Sequence, residues 1–302
     1  MMDVSLGELR VRQVAELDLA LPLDAILPGI GGEDLARLKQ WYWDDALSLD
    51  PATAQCALSM HSYLVEIDGK KIIIDTCNGN HKDRTMPFLH RLTTPWLERL
   101  GELGVAPEDI DMVLFTHLHV DHVGWNTRLE GDRWVPTFPN ARYVFGRRDL
   151  DYFSTTEAEA DLSHQEAFRD SVLPILEAGL ADIVEEDAVL HGASGDGVWL
   201  RPAFGHTPGC CTVHARRGGP PALFSGDILL HPAQIVRPDL HTSFDRDEAL
   251  AAQVRQALIE EVADTDTVIF PAHFMQGAAG RIERDGEGFR YRLVGETPPA
   301  AA

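Results

Sequence analysis

Basic side chains are scarce in this sequence: 26 Lys and Arg stand against 48 Asp and Glu, a formal charge of −22. That excludes a broad nucleic-acid-binding face, because phosphate recognition needs clustered Lys and Arg, and it disfavours an anionic membrane surface. The simplest meaning of the acidic excess is solubility. Long hydrophobic runs are missing too. No stretch approaches the roughly 18 apolar residues of a membrane span. The amino terminus, MMDVSLGELRVRQVAELDLAL, interleaves charges with apolar residues, so no secretory signal is expected there. The four cysteines, at 56, 77, 210 and 211, include no CxxC pair, which removes zinc ribbons and thioredoxin-type motifs. They are expected as small buried thiols in a reducing compartment, and the cytoplasm is the simplest location. No low-complexity linker or repeat divides the 302 residues, so one domain is expected over 1–302.

One stretch is crowded with chemistry. Thr116-His117-Leu118-His119-Val120-Asp121-His122-Val123-Gly124 holds three histidines and an aspartate within six residues. The run before it, Asp111-Met112-Val113-Leu114-Phe115, is short and mostly apolar and reads as a buried strand. The polar cluster therefore begins at a strand's carboxyl end, where open α/β sheets collect ligands. Imidazole and carboxylate suit zinc and other first-row divalent ions. A lone histidine is more often a satisfied core or surface residue; four specified residues in an HxHxDH window are a different matter.

The same arrangement recurs downstream. Val198 to Phe204 leads into Gly205-His206-Thr207-Pro208-Gly209, Ala222-Leu223-Phe224 into Ser225-Gly226-Asp227, and Thr267 to Phe270 into Pro271-Ala272-His273. In this order the HxHxDH, GHTPG, SGD and PAH motifs resemble those of the metallo-β-lactamase superfamily, over about Leu9 to Leu293. The resemblance implies an α/β fold, a four-layer αββα sandwich in a single domain, with a two-metal site. It assigns His117, His119 and His206 to one metal and Asp121, His122 and His273 to the other, with Asp227 bridging. It also makes Asp75, which ends the strand Lys71 to Asp75, a carboxylate behind the ligands; an Asx turn is the alternative for that residue. Two departures stand out. Cys210 replaces the histidine usual after GHTPG, and Ile228-Leu229-Leu230-His231 follows the bridging aspartate where some lactonase relatives carry a tyrosine.

Elsewhere the pattern predicts an edge strand over Leu9 to Leu17, a loop over Leu21 to Gly32, and a short helix over Glu33 to Gln40. His61 to Glu66 and Lys71 to Asp75 flank Asp68-Gly69, a hairpin signal. Trp41-Tyr42-Trp43 reads either as an aromatic rim over an apolar substrate or a homodimer contact, or as ordinary loop packing. His81, Lys82, Asp83 and Arg84 read as a solvated loop. Phe88 to Leu103 has helical spacing, with Pro95 inside it. Residues 148–180, including an amphipathic helix from Ser163 to Gly179, are expected as a variable insertion that helps build the pocket, with Trp125 and Phe153 as candidate wall residues. Asp182 to Glu185 and Thr212 to Ala215 read as strands, Asp245 to Ala263 as a helix, Arg281 to Leu293 as a hairpin, and 296–302 as a frayed tail.

The implied activity is metal-dependent hydrolysis of a small-molecule ester, lactone or related acyl bond. Two divalent cations, zinc first and iron or manganese as substitutes, would generate a hydroxide near neutral pH. Asp121 would ligate and orient it. His231 or His241 would stand in for the missing tyrosine as proton donor. An organophosphate triester or a β-lactam is an alternative substrate on the same fold. A mono-iron dioxygenase is the alternative from another class. Flavin-coupled di-iron relatives are disfavoured, since they carry a glutamate where His119 stands, and glutathione thioesters are disfavoured by the absence of a basic patch.

Overall fold

Ile72, Ile73 and Ile74 are all buried, yet they face two different cores. Side chains alternate across a strand, so Ile72 and Ile74 join one cluster and Ile73 the other. Val113 and Leu114 part in the same way, as do Leu223 and Phe224, and Ile269 and Phe270. A sheet covered on both faces demands such continuous apolar runs.

The computed structural model describes residues 2–42, 47–155, 162–275 and 278–295. Strands β1 (Asp3–Leu6), β2 (Leu9–Pro22), β3 (Gln55–Ile67), β4 (Lys70–Ile74) and β5 (Met112–Leu114) come first. A separate hairpin follows, β6 (Thr127–Glu130) with β7 (Arg133–Pro136), then β8 (Arg142–Gly146) and β9 (Ala181–Val184). The first sheet has seven strands in the order β1-β2-β3-β4-β5-β8-β9. The second holds β10 (Val189–Ala193), β11 (Asp196–Pro202), β12 (Cys211–Arg216), β13 (Ala222–Gly226), β14 (Val268–Pro271), β15 (Gly280–Asp285) and β16 (Gly288–Leu293), side by side in chain order. Val65, Ile72 and Leu114 of the first sheet meet Val213, Phe224 and Phe270 of the second in one core. Helix Trp96–Glu102 and the helical run 162–177 cover the first sheet's outer face, and helix Glu248–Val262 covers the second's. These are the four layers of an αββα sandwich.

Several expectations change. The strand from Leu9 runs on to Pro22, and it is not the edge: β1 pairs outside it. Leu21 to Gly32 is not all loop, since Leu23–Ile26 is a helical turn and helix Gly32–Leu38 follows. In Phe88 to Leu103 only Trp96–Glu102 is α-helix, because Pro95 cannot sit inside one and caps its start instead. The helical run from Leu162 is continuous to Glu177 but widens to a π-turn over Phe168–Val172. The long helix starts at Glu248, with Asp247 as its cap, which leaves Asp245 outside it. Tyr42 is buried and Trp41 packs against two core clusters, so this pair forms no rim; Trp43 and the tail 296–302 lie outside the described residues. Among the described residues no helix is long and apolar enough to cross a membrane.

Candidate metal centre

Strand ends β5, β13 and β14 and the loop after β11 deliver all seven expected ligands to one place. His117, His119, His206 and Asp227 form one convergent group, and Asp121, His122 and His273 a second. Asp227 Oδ2 lies 3.3 Å from His206 Nε2 and 3.9 Å from His117 Nε2. Its Oδ1 lies 3.1 Å from His273 Nε2 and 3.3 Å from His122 Nε2. One carboxylate thus turns an oxygen toward each group. Asp121 is held more loosely, 3.5 Å from His273 Nε2 and 3.8 Å from His122 Nε2.

Local backbone explains the delivery. Gly226, just before Asp227, has φ +51°, and a Cβ there would meet the Thr116 side chain at 2.7 Å. Only glycine fits. The HxHxDH loop ends at Gly124 because a Cβ would lie 1.9 Å from the Asn78 carbonyl oxygen.

The outward nitrogens fix the rings. Nδ1 of His122 donates to Asp75 Oδ2 (2.9 Å), Nδ1 of His206 to Asp245 Oδ1 (2.8 Å), and Nδ1 of His273 to the Ser59 carbonyl (3.3 Å). Thr116 donates its N–H and its hydroxyl to Asp75, each at 2.8 Å, so the hydroxyl accepts from His117 Nδ1 at 3.1 Å. With protons on these four Nδ1 atoms, the Nε2 lone pairs all point inward. His117 and His206 Nε2 each lie 3.0 Å from His119 Nδ1, and His122 and His273 Nε2 lie 3.3 Å apart. Lone pairs at such distances repel unless a proton or a cation sits among them.

Charge tells the same story. Burial acts to raise the Asp227 carboxyl, but His273, His122 and His117 hold it well below its usual range. Burial acts to lower His206, and Asp227 with Asp245 overcomes it, raising the ring to about 9. His122 goes up for a similar reason, while burial and neighbouring imidazoles push His117 and His119 well down. The centre favours positive charge, yet its rings cannot all be protonated together. Buried Asp227 Oδ1 also lacks a hydrogen-bond donor. These nitrogen and oxygen donors, without thiolate, fit two divalent ions of the zinc type.

A cavity of about 410 Å³ opens on Asp121, Asp227, His119, His206 and His273. Leu19, Met60, Met86, Phe88, Leu89 and Phe153 give it an apolar wall. Phe153 is thus a wall residue as expected, whereas Trp125 is not: it stacks on Trp96 in the core and donates to Glu16 Oε1 at 2.7 Å. His231 is also displaced from its expected role. It is buried beside Tyr42, away from the cavity lining, and burial alone drives its ring down to about 3. His241 faces Glu248 at 3.6 Å, again outside the lining.

Three contributors escaped the sequence reading. His164 lines the cavity, stacks on His119 with centroids 4.1 Å apart, and accepts from the Val120 N–H through Nδ1. Asp245 orients His206. Asp149, buried, accepts from the Leu118 N–H, the Thr207 hydroxyl and the Gly209 N–H, so it ties the loop of His117 and His119 to the loop of His206.

A cluster of imidazoles and carboxylates at the strand ends of an αββα sandwich defines a metal-binding protein of that fold. The metallo-beta-lactamase superfamily model matches residues 58–273, and the chain belongs to that superfamily. Among solved structures it resembles AidC, a dizinc quorum-quenching lactonase in complex with the product N-hexanoyl-L-homoserine, at 20% identity and TM-score 0.77, covering 98% of this chain and 97% of that one. It also resembles AbOPH, a hydrolase of the beta lactamase superfamily (22%, TM-score 0.79, 98% of each chain), and a probable metal-dependent hydrolase from Staphylococcus aureus (18%, TM-score 0.75, 97% and 100%). No curated protein matches the sequence significantly.

Proposed function

We propose that the chain is a hydrolase dependent on two divalent cations, zinc by preference, acting on a small neutral ester or lactone with an apolar acyl chain. The observation that carries this is Asp227 turning one oxygen to each of two ligand groups beneath an apolar cavity. Two dications held there would supply a hydroxide near neutral pH and polarise the scissile carbonyl. His117, His119 and His206 would hold one; Asp121, His122 and His273 the other. Asp121 faces the cavity with a carboxylate oxygen able to orient or accept a proton. His164 stands at the wall, its Nδ1 accepting from the Val120 N–H and its ring stacked on His119. The apolar wall excludes water and takes the acyl chain. The similar lactonase structures support this substrate class, and the two-group arrangement favours it over a mono-iron dioxygenase.

Metal analysis of the purified chain, followed by turnover on acyl lactones, carboxylic esters, a phosphotriester and a β-lactam, tests the reading. Two metals per chain and turnover of acyl substrates first among these are expected. One iron per chain with oxygen consumption would replace the reading with an oxygenase, and an inert chain carrying two metals would end the hydrolase reading.

A further inference from the structure

Residues 81–92 form a closed loop whose base is pinched by two backbone bonds, His81 N–H to the Leu92 carbonyl (2.9 Å) and Arg91 N–H to the Lys82 carbonyl (2.8 Å). It has the length of an Ω-loop. Its tip carries Met86, Phe88 and Leu89 into the cavity wall. The sequence suggested a solvated loop here, but Lys82 and Arg84 are buried, with side chains 1% exposed. Both reach Asp170 in the π-turn of the helical run 162–177. Arg84 grips its carboxylate with two bonds, 2.6 and 3.0 Å, and Lys82 Nζ lies 3.3 Å from it. Lys82 also donates to Thr127 Oγ1 at 2.8 Å and sits 3.8 Å above the Trp134 ring. One turn earlier, Glu166 accepts from the Thr85 N–H and hydroxyl, both at 2.8 Å. The same helical run carries His164.

Buried ion pairs add little to stability beyond what apolar residues would give, and their best-attested use is fixing register. Here the register fixed is that of one cavity wall against another. We propose that Asp170, gripping Arg84 and Lys82, is a specificity-determining positioning residue that holds the Met86–Leu89 tip against the cavity and so sets the enzyme's preference for long apolar acyl chains. This rests on the proposed function for the substrate class, but the wall itself is testable by binding alone.

The test measures binding of butanoate and octanoate to the metal-loaded protein, alongside ester turnover. Wild type should bind octanoate more tightly. Asp170→Asn should lose about tenfold of octanoate affinity, the worth of roughly two buried methylenes, with butanoate within about twofold and metal content unchanged. Amide exchange should quicken over 83–90 and not in β4 or β5. Glu166→Ala, which disturbs no buried charge, should shift the same ratio in the same direction. Equal losses for both acids, no loss for either, or no length preference in wild type would overturn the proposal. Length-dependent binding without turnover of any ester would keep the wall and remove the hydrolase reading.

Discussion

Replacing Asp245 by Asn keeps the shape of the side chain and removes one acceptor oxygen. Asp245 Oδ1 accepts from His206 Nδ1 at 2.8 Å, and Oδ2 accepts from the Thr242 N–H at 2.8 Å and from Arg255 at 3.3 Å. An amide can serve only one side. If its oxygen faces Thr242, its NH2 meets His206 Nδ1, and the ring must move its proton to Nε2, where the metal should bind. If its oxygen faces His206, the Thr242 N–H meets a second donor in a buried site. Either outcome leaves a buried polar group unpaired, at a cost of about 1–3 kcal/mol. Partners of this kind typically control metal affinity by roughly 10–100-fold.

We expect Asp245→Asn to weaken one metal equivalent by that factor and to leave the other near wild type, because among the described residues Asp245 bonds to His206, Thr242 and Arg255 and not to Asp121, His122 or His273. Competition with a chromophoric chelator resolves the two equivalents. The melting temperature of the loaded variant should fall with the lost affinity. Two equivalents of unaltered affinity would show that the His206 tautomer is not set by Asp245, and the account of the inward lone pairs would fail with it.

Asp227→Ala should strip both metals and nearly all activity, while His231→Ala keeps metal content; elemental analysis after dialysis decides, and two retained metals in the Asp227 variant would refute the bridge. Gly124→Ala forces a Cβ to within 1.9 Å of the Asn78 carbonyl, so stability should drop by on the order of 3 kcal/mol, seen as a fall of several degrees in Tm. Burial pushes Lys82 down to about 7 from 10.5, against the upward pull of Asp170 and with the help of Arg84. Between those values the unfolded chain binds more protons than the folded one, so this residue makes stability rise with pH across the window. Lys82→Met should flatten the rise by on the order of a few kcal/mol between about pH 7 and pH 10; identical slopes of urea midpoint against pH in the two proteins would sink the point.

The seven candidate ligands were legible because four of them share one HxHxDH window and the other three sit just past short apolar runs in motifs that resemble the superfamily's, in the same order. A short apolar run followed by a donor residue is a local signal. Asp245 was not legible: it lies 39 residues from His206, and the pattern placed it inside the helix expected over Asp245 to Ala263. The usable signal was a spare acid two residues ahead of the true cap, Asp247. Lys82 and Arg84 failed for the same reason, since Asp170 is 86 residues from Arg84 and no pattern in HKDR marks a charge as buried. Strands β1 and β10 were missed because each is short and half exposed, which leaves no alternation to read.

The two carboxylates behind the candidate ligands do unequal work, and the fold explains why. Asp75 directly follows β4, which lies beside β5, the strand that launches the HxHxDH loop. From there it reaches His122 directly and His117 through the Thr116 hydroxyl, one ligand in each group. Asp245 comes from the loop before the second half's long helix and meets His206 alone among the rings. Asp75→Asn should therefore weaken both metals together, where Asp245→Asn weakens one. Thr116→Val should behave as half of Asp75→Asn, loosening the metal of His117 while His122 keeps its partner. If chelator competition instead gave Asp75→Asn a single weakened equivalent, the relay through Thr116 would carry no energy, and the inward proton-free nitrogen of His117 would need another cause.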